Sequence, residues 1–152
     1  MNSIGLSHEK SKEVADKLNH LLANYSVLYM NTRGFHWNIK GSDFFELHTK
    51  FEEIYNRLVL QIDEIAERIL TLEATPLHSY SNILKTAKVK EITETTDGKT
   101  ALKHISEAFT QLVIDQRAIL NMASEIGDEG TVTLMSDYIT EQEKEIWMYN
   151  SY

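Results

Sequence analysis

The sequence has no cysteine, one proline and six glycines in 152 residues. The missing cysteine excludes disulfides and thiolate metal sites, and removes a thiol that peroxide attacks. With so few helix breakers the chain carries little punctuation. Its 42% hydrophobic and 25% charged residues fit a helix-rich globular protein, not a disordered one. No apolar run approaches the roughly 18 residues that cross a bilayer. The first residues, MNSIGLSHEKSKE, lack the basic and apolar regions of a signal peptide. The expectation is a cytoplasmic protein with one domain over residues 1–152. Positive charge is also scarce: 15 Lys and Arg stand against 23 Asp and Glu, a net charge of −8. That balance argues against a broad nucleic-acid footprint and suits a collector of cations.

What is present is helical periodicity. Val14, Leu18, Leu21, Tyr25, Leu28 and Thr32 recur at helical spacing, and His36 continues the stripe, so a first helix is predicted from Ser7 to Asn38. Gly41 supplies a permissive backbone after it. Ser42 or Asp43 caps the next helix, with Glu46 three positions after Asp43. That second helix runs from Asp43 to Leu72 on Phe44, Leu47, Phe51, Ile54, Leu58, Ile62, Ile65 and Ile69, with Glu64 and Arg68 as an i,i+4 pair. Pro76 stops it. Residues 74–99 form a long connection in which Tyr80 to Lys88 makes a short helix and Thr93 to Gly98 reads as loop. A third helix spans Thr100 to Ile126 through Leu102, Ile105, Phe109, Leu112, Gln116 and Ile119. Gly127 to Gly130 is a turn. A fourth helix spans Thr131 to Asn150, with Met135, Ile139, Ile146 and Trp147 at its apolar positions. The fold class is all-α. Four long helices with one long crossover, carrying a short extra helix between the second and third, make the pattern of ferritin-like bundles.

The chemistry concentrates on His36, His48, Asp63 and Glu67. Asp63 and Glu67 are i,i+4 and share a helix face. On the helical wheel His48 lies about 60° from Asp63 and about 100° from Glu67, so all three face broadly one side. Yet fifteen residues at about 1.5 Å each put His48 and Asp63 roughly 22 Å apart on a continuous helix. Two ligands of one metal, each about 2 Å from it, lie within roughly 4 Å of each other. If the four residues hold one metal, they come from two chains. Two antiparallel copies of the second helix about a two-fold axis bring His48 of one to Asp63 and Glu67 of the other, and the interface then holds two identical sites. His36 joins from the His48 side. Two imidazoles and two carboxylates suit Fe(II) and leave positions open for an oxidant; zinc accepts the same donors. Spacing alone leaves the bland alternatives open: a satisfied histidine at a helix end, a surface histidine near a helix start, and two solvated acids. Other ferritin-like enzymes place Glu and Glu-x-x-His ligands inside one bundle. Neither Glu46 nor Glu64 is followed three positions later by histidine, and Glu9, Glu46 and Glu107 do not build that set.

The stretches Phe35-His36-Trp37-Asn38-Ile39-Lys40-Gly41, Phe44-Phe45-Glu46-Leu47-His48 and Ile62-Asp63-Glu64-Ile65-Ala66-Glu67-Arg68-Ile69 resemble the Dps family, the mini-ferritins named as DNA-binding proteins from starved cells. The similarity covers nearly the whole chain, including the crossover and the late Glu145-Ile146-Trp147-Met148. The resemblance implies a hollow shell of twelve subunits with ferroxidase centres at dimer interfaces. Such centres oxidise Fe(II), typically with hydrogen peroxide and otherwise with oxygen, and the shell stores ferric mineral. By position His36 and His48 match the ligands of one subunit, Asp63 and Glu67 those of its partner, and Trp37 an aromatic beside the centre or a packing residue at the helix end.

The resemblance also implies lesser roles. Glu52 and Glu53 match acids that the family presents to the cavity for mineral nucleation, Glu52 also standing one turn from His48 as a further metal ligand. Asp128, Glu129 and Asp137 match the acids of iron-admitting pores, although Thr131, Val132 and Thr133 stand where relatives often carry an acid. The family's DNA-binding members carry lysine-rich tails. Here Lys10 and Lys12 stand against Glu9 at one end, and Lys144 against Glu141, Glu143 and Glu145 at the other. Neither end offers the several phosphate contacts that salt-resistant binding needs. DNA binding is therefore not expected, and a nucleoid-protecting protein is the second reading. A structural helical oligomer with a vestigial site is the third, which the four intact ligands oppose.

Overall fold

The computed structural model describes all 152 residues. Five helices follow in order: α1 (His8–Asn38), α2 (Phe44–Thr71), α3 (Tyr80–Thr86), α4 (Gly98–Glu125) and α5 (Glu129–Asn150). No strand forms; an isolated bridge joins Lys40 to Asp97. α1 packs on α2, α4 packs on α5, α1 also packs on α4, and α3 lies against α1. This is the expected all-α bundle with its short crossover helix. The predicted stripes of α1 and α4 are buried throughout, and that of α2 is buried except at Phe44 and Ile62, which pack partly covered against the same core.

The ends differ from expectation for identifiable reasons. Asp97 accepts from the Thr100 amide at 2.9 Å and starts α4 at Gly98. Asp128 accepts from the Thr131 amide at 3.0 Å and starts α5 at Glu129, so Gly130 lies in a first helical turn, not in a loop. A capping aspartate satisfies orphan amides and tolerates glycine just behind it. The turn before α5 closes at Gly127, whose φ of 76° lets the Asp128 amide reach the Ala123 carbonyl at 2.9 Å. Asp43 precedes α2 but makes no side-chain cap bond, so the expected capping box does not form. α3 stops at Thr86 because Ala87 turns extended.

Two pairings are also corrected. Arg68 does not bond Glu64; it reaches across to Asp128, while Glu64 accepts from the Tyr138 hydroxyl at 3.1 Å. Trp147 is not a core residue but 66% exposed. Its neighbours Glu145 and Tyr149 turn inward instead, bonded to one another and, through Glu145, to Arg57.

Three asparagines on α1 fix the crossover. Asn19 donates to the Thr75 carbonyl and accepts from the Leu77 amide. Asn24 accepts from the Lys88 and Val89 amides, and Asn31 bonds both the Lys90 carbonyl and the Ile92 amide. An amide side chain presents donor and acceptor together, so each completes backbone groups that no helix or sheet would satisfy. The crossover is thereby held along α1, the helix that ends in His36.

The first residues are folded as well. Asn2 accepts from the Leu6 amide at 2.8 Å and donates to Ser11. Ser3 donates its amide to Glu73 at 2.8 Å, and His8 lies 3.8 Å from the same carboxylate. The hydrogen bonds from Ser3 hold the Glu73 carboxyl below its ordinary range.

Candidate metal centre

The last turn of α1 and the first turns of α2 build the site. Lys40 donates its amide to the Thr96 carbonyl and so does not return to the His36 carbonyl as a continuing helix would. That free carbonyl accepts from His48 Nδ1 at 2.7 Å, and His36 Nδ1 donates to the His48 carbonyl at 2.7 Å. A carbonyl only accepts, so each ring carries its proton on Nδ1 and keeps the Nε2 lone pair for a metal. The two rings stack with centroids 3.8 Å apart and planes 12° from parallel. Phe44 stacks on His48 at 4.9 Å, and Tyr55 sets its edge against His36 at 5.3 Å. His36 is only 8% exposed and His48 half-buried. These second-sphere bonds fix tautomer and ring orientation, as they do in metal-binding histidines generally.

The acids lie elsewhere. Asp63 and Glu67 are exposed, far along the same uninterrupted α2, and neither is ion-paired in its own chain. Within one chain no three His, Asp or Glu side chains converge to hold a metal ion. Nor does the bundle interior offer such a set: Tyr25, Gln116 and Gln142 close a ring of hydrogen bonds there of 2.5, 2.6 and 2.8 Å. Burial raises the Tyr25 pKa far above its ordinary value, which keeps the hydroxyl a donor.

The lesser expectations divide. Glu52 and Glu53 are exposed, Glu53 paired with Lys50 at 3.0 Å. Glu129 and Asp137 are exposed. Asp128 is not a pore-lining acid in this chain: its side chain is fully buried, ion-paired with Arg68 and spent as the α5 cap. Trp37, 58% exposed, lies over Arg33 at 4.8 Å and makes no ring contact with either histidine. Sequence reading missed Tyr55, Phe44 as a stacking partner, and Arg33. The i,i+4 spacing of Arg33 and Trp37 was a usable signal for the last.

Comparison with known proteins agrees with the fold. The ferritin family, described as a ferritin-like domain, matches residues 15–152. A crystal structure from Vibrio cholerae, described as a DPS protein and a member of a broad superfamily of ferritin-like diiron-carboxylate proteins, superposes with a TM-score of 0.98 at 58% identity, covering 99% of this chain and 95% of that one. A Porphyromonas gingivalis protein named DNA protection during starvation protein is 43% identical over 148 residues, 97% of this chain and 93% of its own. An uncharacterized Haemophilus influenzae protein is 52% identical over 149 residues, with 98% and 93% coverage. A bundle of this topology, with the match over residues 15–152, defines a ferritin-like protein. Within that class the chain belongs to the Dps family.

Proposed function

We propose that this protein oxidises Fe(II) at centres shared between two copies of the chain, and keeps the ferric product inside a closed shell of subunits, a dodecamer as the family resemblance implies. One observation carries this reading. His36 and His48 are locked with free Nε2 atoms, while the carboxylate pair Asp63 and Glu67, i,i+4 on the helix that carries His48, sits roughly 22 Å away on a rigid rod. A second copy, packed antiparallel along α2, supplies what each copy lacks. The Vibrio cholerae relative's diiron-carboxylate class supports iron as the substrate.

Fe(II) is the electron donor. Each ferrous ion gives up one electron, and hydrogen peroxide takes two with two protons to leave water. Two ferrous ions are therefore consumed per peroxide, and no free hydroxyl radical is released. Dioxygen is the alternative oxidant. Zinc fits the same donors and acts as a competing occupant. The test measures Fe(II) oxidation by peroxide and by oxygen on an assembly of determined mass. The expected result is a rate with peroxide far above that in buffer, at about two Fe(II) per peroxide. Oxidation no faster than in buffer overturns the proposal.

Relatives named for DNA protection motivate a second reading. The local charge near the start of α1 weighs against it: Asn2 and Ser3 are hydrogen-bonded to the folded chain, and Lys10 and Lys12 stand beside Glu9. With a net charge of −8 per copy the outer surface repels phosphate, and screening confines any attraction to about 8 Å at physiological salt. Duplex DNA is expected not to shift in a gel at about 0.15 M monovalent salt without divalent cations. A clear shift at micromolar protein restores the second reading.

A further inference from the structure

The chain has four arginines, and three of them pair with acids of the same chain: Arg57 with Glu141 and Glu145, Arg68 with Asp128, and Arg117 with Glu143. Arg33 pairs with none. Its guanidinium carbon lies 4.8 Å from the Trp37 ring centroid, 5.2 Å from that of Tyr55 and 5.7 Å from that of Tyr29. Its one hydrogen bond runs from Nη1 to the Tyr29 hydroxyl at 3.0 Å, and its Nε is buried without an acceptor. The helix builds this arrangement: Tyr29, Arg33 and Trp37 follow at i, i+4 and i+8 on one face of α1, and Tyr55 closes it from α2. The rings attract the cation and fix it in place, but they do not neutralise it. A guanidinium does not give up its proton. A fixed, half-buried positive charge therefore stands without a carboxylate.

It stands next to the metal centre. The Tyr55 ring that touches Arg33 also rests its edge on His36. Of the acids that are exposed and unpaired in their own chain, the two that the shared-site reading brings from a second copy to the histidines are Asp63 and Glu67. Resting on the shared-site reading, the register between copies decides which of the two Arg33 meets. If His48 faces Asp63 of a second copy, then antiparallel helices set Glu52 opposite Val59 and Phe44 opposite Glu67. Within one chain α1 runs antiparallel to α2, since His36 meets His48, Phe35 meets Phe51 and Tyr29 meets Tyr55. Moving from His36 back to Arg33 therefore leads along α2 from His48 towards Tyr55, away from Phe44 and hence away from Glu67 of the second copy.

We propose that Arg33 is a positioning residue that binds the Asp63 carboxylate of a second copy and aims it at the histidine pair. A carboxylate has lone pairs enough to accept from the guanidinium with one oxygen and to ligate iron with the other. In the metal-free protein the same contact gives that acid a cationic partner.

The test is a double-mutant cycle on the metal-free full chain. Arg33→Gln, Asp63→Asn and the double variant are compared by sedimentation in increasing urea, which brings subunit dissociation into range. Gln keeps a planar head for the three rings and removes the charge. Each single change is expected to raise the dissociation constant about tenfold and the double change to add little more, because both remove the same contact. Arg33→Lys should restore part of the loss. Additive losses, or a chain that stays monomeric, overturn the assignment; a purely structural role for Arg33 in its own chain gives the additive result. Iron oxidation by mixtures of histidine-lacking and acid-lacking chains reads the shared site separately. Regained oxidation without coupling between positions 33 and 63 overturns the Arg33 assignment alone. Failure of both measurements overturns the shared site as well.

Discussion

Assemblies mixed from two inactive variants are expected to regain about a quarter of the rapid iron oxidation of the parent protein. The variants are His36→Ala with His48→Ala, and Asp63→Ala with Glu67→Ala. On the proposed shared centre each alone spoils every site, since the imidazoles would come from one copy and the carboxylates from another. In an equimolar random mixture half of the two-fold interfaces join unlike chains. Such an interface holds one centre that lacks all four ligands and one that lacks none. Half of the interfaces with half of their centres intact gives the quarter. The rate is read by absorbance of ferric product after a peroxide pulse, with subunit exchange verified by mass. A mixture that stays inactive despite exchange rules out ligands from two chains. Full activity of either variant alone removes that pair from the centre.

The quantitative regain matters because the chain by itself shows only half of the chemistry. The histidine half was legible in the sequence as positions, since His36 continues an apolar stripe and His48 follows a helix start. Its decisive detail was not. The reciprocal Nδ1 bonds depend on α1 leaving its helical pattern at Lys40 and on the register of α1 against α2, and neither is written in local spacing. The same register brings Tyr55 to both His36 and Arg33, which no motif signals. The acid half is exposed in the single chain, so its reading rests on a length argument along one helix.

The fold was more legible, because burial follows apolar periodicity. Its errors cluster at glycines and at long amphipathic side chains. Gly98 and Gly130 read as loop residues, yet aspartate caps in front of them place both inside first turns. Trp147 reads as core on a wheel where Glu145 and Tyr149 compete for the inner face. Pairing decides in their favour, since Arg57 and the Tyr149 hydroxyl satisfy the Glu145 carboxylate. Burial pushes the Tyr149 pKa well up, so that hydroxyl remains a donor to it.

Arg68→Met is expected to cost about 3–5 kcal/mol, the largest single-site loss of stability outside the apolar core. Arg68 ties α2 to the start of α5. Its Nη2 lies 2.5 Å from Asp128 Oδ1, and its Nε donates to Thr131 Oγ1 at 3.0 Å. The Asp128 side chain is fully buried, and its Oδ2 already has no donor. Removing the guanidinium leaves a buried carboxylate with only the Thr131 amide. Removing both charges should hurt less than removing one, provided that the helix keeps its cap. The double variant Arg68→Met with Asp128→Ser retains a capping oxygen and is expected to recover most of the loss. Gly130→Ala tests the same joint from the other side. A Cβ there falls 2.5 Å from Arg68 Nη1 and 2.7 Å from Cζ, so the end of the Arg68 side chain must shift. Its loss should be smaller than that of Arg68→Met, because the guanidinium is displaced and not removed. Arg117→Met is the control: both members of its pair with Glu143 are about half exposed, and such pairs contribute about 0–1 kcal/mol. Urea midpoints of the four variants, followed by circular dichroism at one protein concentration, give the order. If Arg68→Met unfolds no earlier than Arg117→Met, the joint between α2 and α5 does not depend on this ion pair.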